Sequence, residues 1–106
     1  MDVRQIRRLL GRHHYSVSRH AVVEAFSDGL SLPDDILTPL RRGVIIEDYP
    51  NRNRALVLGY TNLARPVHIV IELTSGGAGT GHLRVVTVYV PSVENWDPDW
   101  TTRRQV

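Results

Sequence analysis

The sequence contains no cysteine and no lysine, and it has one phenylalanine and one methionine. Without cysteine there is no disulfide and no thiolate metal site. Without lysine every basic side chain is a guanidinium, thirteen of them against eleven carboxylates, for a net charge of +2. No apolar run is long enough to span a bilayer and no signal-peptide pattern stands at the N-terminus, so the expected location is the cytoplasm. Internal repeats and linkers are absent as well. The 106 residues, 42% apolar and 23% charged, are expected to form one globular domain over 1–106.

The arginine fork suits phosphate and carboxylate. An all-arginine basic set fits an RNA-binding protein, and it fits a bias in genomic base composition equally well. Val3, Ile6, Leu9 and Leu10 make one helical stripe, capped by Asp2 and ended by Gly11. Ser18 predicts the N-cap of a second helix over 19–28, with Val22, Ala25 and Phe26 as its apolar stripe and Gly29 in its terminal turn. Ser31-Leu32-Pro33-Asp34 starts a further helical segment, which Pro39 is expected to split into two short turns ending at Gly43.

After Gly43 the pattern changes to strands, expected over 44–49, 56–60, 67–73 and 83–90. Residues 50–53 read as a turn and 76–81 as a loose hairpin loop. Residues 95–100 read as a short helical turn before a basic end. Helices first and sequential strands after them predict an α+β domain, with N-terminal helices packed on a four-stranded antiparallel meander. Val67, Ile69, Ile71 and Leu73 share one face of the third strand; Val86, Val88 and Val90 share one face of the fourth. His68 then falls on the opposite face with Glu72, Thr87 and Tyr89.

Two imidazoles on different elements, His20 and His68, are the residues with chemistry to offer. Metal-independent RNA cleavage needs a base for the 2′-hydroxyl, an acid for the leaving oxygen and a cation for the phosphate. His20 and His68 can fill the proton roles, Arg65 or Arg84 can hold the phosphate, and Tyr89 can orient it or donate a proton. Ser18 is a candidate phosphate contact and equally a plain helix cap. His20 can simply pair with Glu24 four residues on, and His68 can simply hydrogen-bond across the sheet. Trp96 and Trp100 suit base stacking or the closing of a core. Arg103 and Arg104 suit a nucleic-acid backbone or a solvated tail.

No metal and no cofactor is expected. The adjacent His13 and His14 do not converge on one ion, no H-E-x-x-H pattern exists, and His82 stands beside a glycine-rich loop. That loop lacks the Gly-Lys-Ser/Thr ending of a phosphate loop, and a strand follows it.

Several segments in order carry a resemblance: Tyr15-x-x-Ser18-x-His20-Ala21, Gly29-Leu30-Ser31, Ile46-Glu47-Asp48-Tyr49-Pro50, Leu58-Gly59, Arg65-Pro66-Val67-His68, and Val86-Thr87-Val88-Tyr89-x-Pro91 with Trp96. Together they resemble a bacterial family of small proteins, a domain of unknown function. The resemblance implies a fold similar to the RelE, barnase and colicin ribonucleases. It also implies a toxin-like protein paired with a small antitoxin, such as a zinc-finger helix-turn-helix protein, and an mRNA interferase activity on RNA. The family helix typically carries an arginine four residues after the histidine and an acidic-basic pair before the glycine. Here those places hold Glu24, Ser27 and Asp28, and a carboxylate beside His20 repels phosphate. The competing expectations are a catalytically inactive domain of the same fold that binds RNA or protein, and a structural domain within a larger assembly.

Overall fold

The computed structural model describes residues 1–75 and 81–105. Three helices come first: α1 (Val3–Gly11), α2 (Arg19–Ser27) and α3 (Asp34–Arg42). A short strand, β1 (Tyr15–Val17), lies between the first two. After α3 come β2 (Val44–Tyr49), a 3₁₀ turn at Pro50–Arg52, β3 (Arg54–Tyr60), β4 (Pro66–Ser75) and β5 (Gly81–Tyr89). The hairpin loop expected at 76–81 lies, but for Gly81, outside the described residues.

The sheet has five strands in the order β1-β5-β4-β3-β2. β2 to β5 are the expected antiparallel meander. The four-stranded expectation needs correction at the edge, where β1 joins β5 in parallel, Ser16 beside Arg84. A three-residue strand is too short to show a period. The sheet is therefore mixed.

The helices cover one face. Ile6, Leu9 and Leu10 of α1, Ala21 and Ala25 of α2, and Ile36, Leu37 and Leu40 of α3 meet Ala55, Val57, Val67, Ile69, Ile71, Leu83, Val85 and Val88 in one core. Asp2 caps α1 through Arg4 N–H, as expected. At three places the local structure departs from the expected pattern.

First, Pro39 does not split α3, which runs unbroken through it. The lost hydrogen bond is offset by burial: Pro39 sits directly on Gly59, where an added Cβ would lie 2.3 Å from the Pro39 carbonyl oxygen. Second, α2 turns its alanines inward, and Val22 and Phe26, expected in the core, stay 41% and 85% exposed. The small Ala21 and Ala25 let the helix backbone approach the sheet closely. Third, the Val70↔Thr87 and Ile71↔Val85 pairs leave Val86 as an extra residue in a bulge. Leu83 and Val85 face the helices before the bulge and Val88 after it, so Val86 leaves the face expected of it.

Beyond β5 the chain makes turns and one isolated bridge, Trp96 to Arg103, in place of the expected helical turn. No helix of the described residues is long and apolar enough to cross a membrane.

Candidate functional site

Because alternate residues of a strand face opposite ways, burial of Val57, Val67 and Ile69 under the helices sends Leu58 and His68 to the other face. Leu56, Leu58, His68 and Trp96 are all buried, yet none belongs to the core under the helices. They form a second, smaller buried layer on the helix-free face, closed by the C-terminal segment 91–105.

His68 is at its centre, 0% exposed. Its cross-strand partner is Tyr89, one of the residues expected on its face, and Nδ1 lies 3.1 Å from the Tyr89 hydroxyl. Nε2 lies 2.6 Å from the Trp100 carbonyl oxygen. A carbonyl only accepts, so Nε2 carries the proton and Nδ1 accepts from the Tyr89 O–H. The Trp96 indole meets the imidazole edge-on at 4.3 Å between centroids. Burial holds the His68 pKa below the ordinary 6.5 against the opposing pull of the Trp100 carbonyl and Glu47. Burial likewise pushes the Tyr89 phenol above its ordinary value.

One wall of this layer is ionic. Arg103 makes two hydrogen bonds to Glu47, at 2.8 and 2.9 Å, and stacks over Trp96 at 4.7 Å. The Tyr49 hydroxyl also donates to Glu47. The Arg103 guanidinium holds the Glu47 carboxyl below the ordinary carboxylate range, and Glu47 in turn raises Arg103.

Next to the covered layer the same face is open. Tyr49↔Arg54, Arg54↔Glu72, Glu72↔Arg84 and Arg84↔Ser16 are successive cross-strand partners, a polar row over all five strands. Arg54 bonds Glu72 at 2.9 Å. Arg84 is exposed and, among the described residues, has no carboxylate within ion-pair range. A concavity of about 670 Å³ opens here, lined by Tyr49, Asn51, Arg52, Arg54, Val70 and Thr87 among others. A smaller one of about 380 Å³ lies over Tyr89, Ser92, Asn95 and the two terminal arginines.

The remaining sequence candidates are elsewhere. His20 stands on the outside of α2, 68% exposed, with Nε2 3.2 Å from Glu24 Oε1. No hydrogen bond, ion pair or ring contact among the described residues links it to His68. The common cleft expected of the two imidazoles is not formed, because the alanine face of α2 goes inward and His68 is sealed beneath the opposite face of the sheet. Ser18 is spent on structure: its Oγ accepts from Ala21 N–H and donates to the Val86 carbonyl. Arg65 is exposed on the β3–β4 turn, with Nη1 3.5 Å from the Gly29 carbonyl. Arg84 and Tyr89 share the helix-free face with His68, while Arg65 does not join them.

The departures at Glu24 and Asp28 also have a physical reason. β1 covers the β5 edge only at 83–85. Farther along, Glu24 Oε1 accepts from Val88 N–H at 3.2 Å and Asp28 Oδ2 from Val90 N–H at 2.8 Å. These carboxylates satisfy backbone donors on a sheet edge.

Sequence reasoning named Glu47 only within the family resemblance and gave it no role; it left Trp96 and Trp100 between base stacking and closing a core, of which the buried Trp96 fits the second, and Arg103 between a nucleic-acid backbone and a solvated tail. The alternation Glu47-x-Tyr49 was the available signal for Glu47; the tail carries none. No group of His, Asp or Glu among the described residues is placed to hold a metal ion.

Residues 17–90 match the family model of a domain of unknown function, DUF4258. No curated protein and no solved structure matches the chain.

Proposed function

The chain belongs to the DUF4258 family, a domain of unknown function, and we propose that it is a toxin-like RNA-binding protein whose contact surface is the open part of the helix-free sheet face. The observation that carries this reading is the unpaired Arg84 in line with Arg54 and Tyr49, beside a concavity rimmed by Arg52. Guanidinium forks suit phosphate oxygens, and an exposed phenol ring suits base stacking. The resemblance to the RelE, barnase and colicin ribonucleases supports RNA as the ligand. In this reading the partner is a small antitoxin, and the exposed stripe of Val22, Val23 and Phe26 on α2 offers it an apolar surface.

A second reading, a metal-independent endoribonuclease, is favoured by the hydrogen-bonded chain from the Trp100 carbonyl through His68 to Tyr89. Here Tyr89 replaces His20 in the proton role. The 2′-hydroxyl gives its proton to the phenol oxygen as the phenol proton passes to His68 Nδ1. The O2′–P bond forms, the P–O5′ bond breaks, and the leaving oxygen takes a proton from water; the hydroxide so formed takes a proton from Tyr89 as His68 returns its own to the phenol, which restores both residues.

The test is fluorescence anisotropy with a mixed single-stranded RNA, alongside gel assays with chelator present. Arg84→Ala and Arg54→Ala should each weaken binding and flatten the dependence of log K on log salt by about 0.7 for every phosphate no longer neutralised. Absence of RNA binding by the wild type at low salt refutes the first reading. Intact RNA after long incubation, with binding retained, refutes the second.

A further inference from the structure

We infer that residues 91–105 are a releasable cover, latched by Arg103 on Glu47, and that lifting it exposes His68, Tyr89, Glu47 and Tyr49 as one site. This goes beyond RNA binding and does not depend on it.

The cover is bonded mainly to itself. Its backbone hydrogen bonds run from Asn95 and Trp96 to Ser92, from Asp97 to Thr102, from Trp100 to Asp97 and from Arg104 to Asn95. Asp99 closes the turn at Thr101 and Thr102. Among the described residues, no backbone-to-backbone hydrogen bond joins this segment to the sheet. Among the described residues its hydrogen bonds to the sheet are the two of Arg103 on Glu47 and the single one of the Trp100 carbonyl on His68. A segment folded on itself and tied down by a few side-chain bonds opens as a unit at less cost than the strands beneath it.

The hydrogen-bonded tie points have the character of a latch, and the Trp96 ring, buried against His68, is the apolar anchor that opening must also lift. Arg103 keeps 62% of its side chain exposed, so its pair with Glu47 reaches solvent. Trp100, whose carbonyl meets His68, has φ at 62°, a left-handed conformation that a bulky side chain rarely adopts. The residues underneath all lie within the span shared with the family, whereas the cover lies past residue 90.

The groups that opening would free are the ones with chemistry to offer. His68 has both ring nitrogens occupied and no exposure while the cover is down. Lifting the cover removes the Nε2 partner, the Trp96 ring and the cation on Glu47, and leaves the Tyr89–His68 hydrogen bond intact because both residues belong to the sheet.

Diethyl pyrocarbonate labelling with peptide mapping reads this on the whole chain. His13, His20 and His82 are exposed and serve as internal controls for the reagent. His68 should be protected in the wild type. In Arg103→Gln and Glu47→Gln its labelling rate should rise roughly three- to tenfold, the range expected for loss of a partly exposed charge-assisted pair, with circular dichroism unchanged. Amide exchange in the wild type gives a second measurement that needs no variant. Amides of 95–104 should open well below the free energy at which β4 and β5 amides exchange. Unchanged His68 labelling in both folded variants overturns the proposal. So does exchange of 95–104 only through global unfolding, and that measurement decides alone if a variant fails to fold. Neither readout involves RNA, so failure here and failure of the functional reading are separately visible.

Discussion

Replacing His68 tests both the second buried layer and the electrostatics assigned to it. His68→Ala removes a fully buried ring and leaves the Tyr89 hydroxyl and the Trp100 carbonyl without their partner. Truncating a buried aromatic side chain to alanine commonly costs about 3–5 kcal/mol, and the orphaned polar groups act in the same direction. A loss of at least about 3 kcal/mol corresponds to a melting point lower by about 12 °C or more. His20→Ala, which removes an exposed partner of Glu24, should cost about 0.5 kcal/mol or less.

The pH dependence separates packing from ionisation. The folded His68 pKa lies below the ordinary 6.5 because burial disfavours the imidazolium. Between the folded and unfolded values the unfolded chain binds the extra proton, so stability rises with pH in that window. The His68 contribution is therefore complete above about pH 6.5 and is lost as pH falls below it, levelling off beneath the folded pKa. Urea unfolding of the wild type and His68→Gln between pH 7.5 and pH 5 isolates this contribution, since the other histidines cancel in the difference. The wild type should lose stability faster on acidification. Parallel curves for the two proteins refute the assignment of a buried neutral imidazole.

Four further substitutions probe single features of the fold. Gly59→Ala puts a methyl group within 2.6 Å of three Pro39 backbone atoms, and should cost more than about 2 kcal/mol in chemical denaturation by the scale of overpacked cores. Glu24→Arg, which would place a cation beside His20, removes the acceptor of a buried backbone N–H; it should destabilise by about 1–3 kcal/mol in the same assay. Phe26→Ser should leave stability within about 0.5 kcal/mol, because the ring is 85% exposed. Glu47 has its pKa depressed by Arg103. Its contribution is present above about pH 4.5 and lost as pH falls through the folded value, and Arg103→Gln should shrink that acid-limb loss in the unfolding profile, the Tyr49 hydrogen bond holding the remainder.

A residue's place was readable in the sequence where its role depended on periodicity. Val67, Ile69 and Ile71 alternate without interruption, so their burial under the helices and the emergence of His68 on the face of Tyr89 were both legible. Val86 was not, because a bulge inserts one residue and reverses the alternation beyond it. On α2, hydrophobicity pointed to Val22, Ala25 and Phe26 as the inner stripe; Ala25 is buried as expected, whereas close approach selected the small Ala21 in place of Val22 and Phe26.

The same distinction governs the site. His68 and Tyr89 could be placed on one face from the sequence because alternation along a strand is local arithmetic. Glu47 and Arg103 are 56 residues apart, and their pairing depends on where an irregular tail folds, which no local pattern encodes. That pairing changes what each residue can do. In the unfolded chain His68 is an available base and Arg103 a free cation. In the folded protein each occupies the other's surroundings: Arg103 closes the layer that desolvates His68, and Glu47 takes the charge that Arg103 could offer a phosphate. Among the described residues the open cations left on that face are Arg52 and Arg84 rather than the terminal pair, so the proposed RNA contact rests on the sheet, and a substrate reaches the His68 ring itself, rather than Tyr89, only if the tail first moves aside.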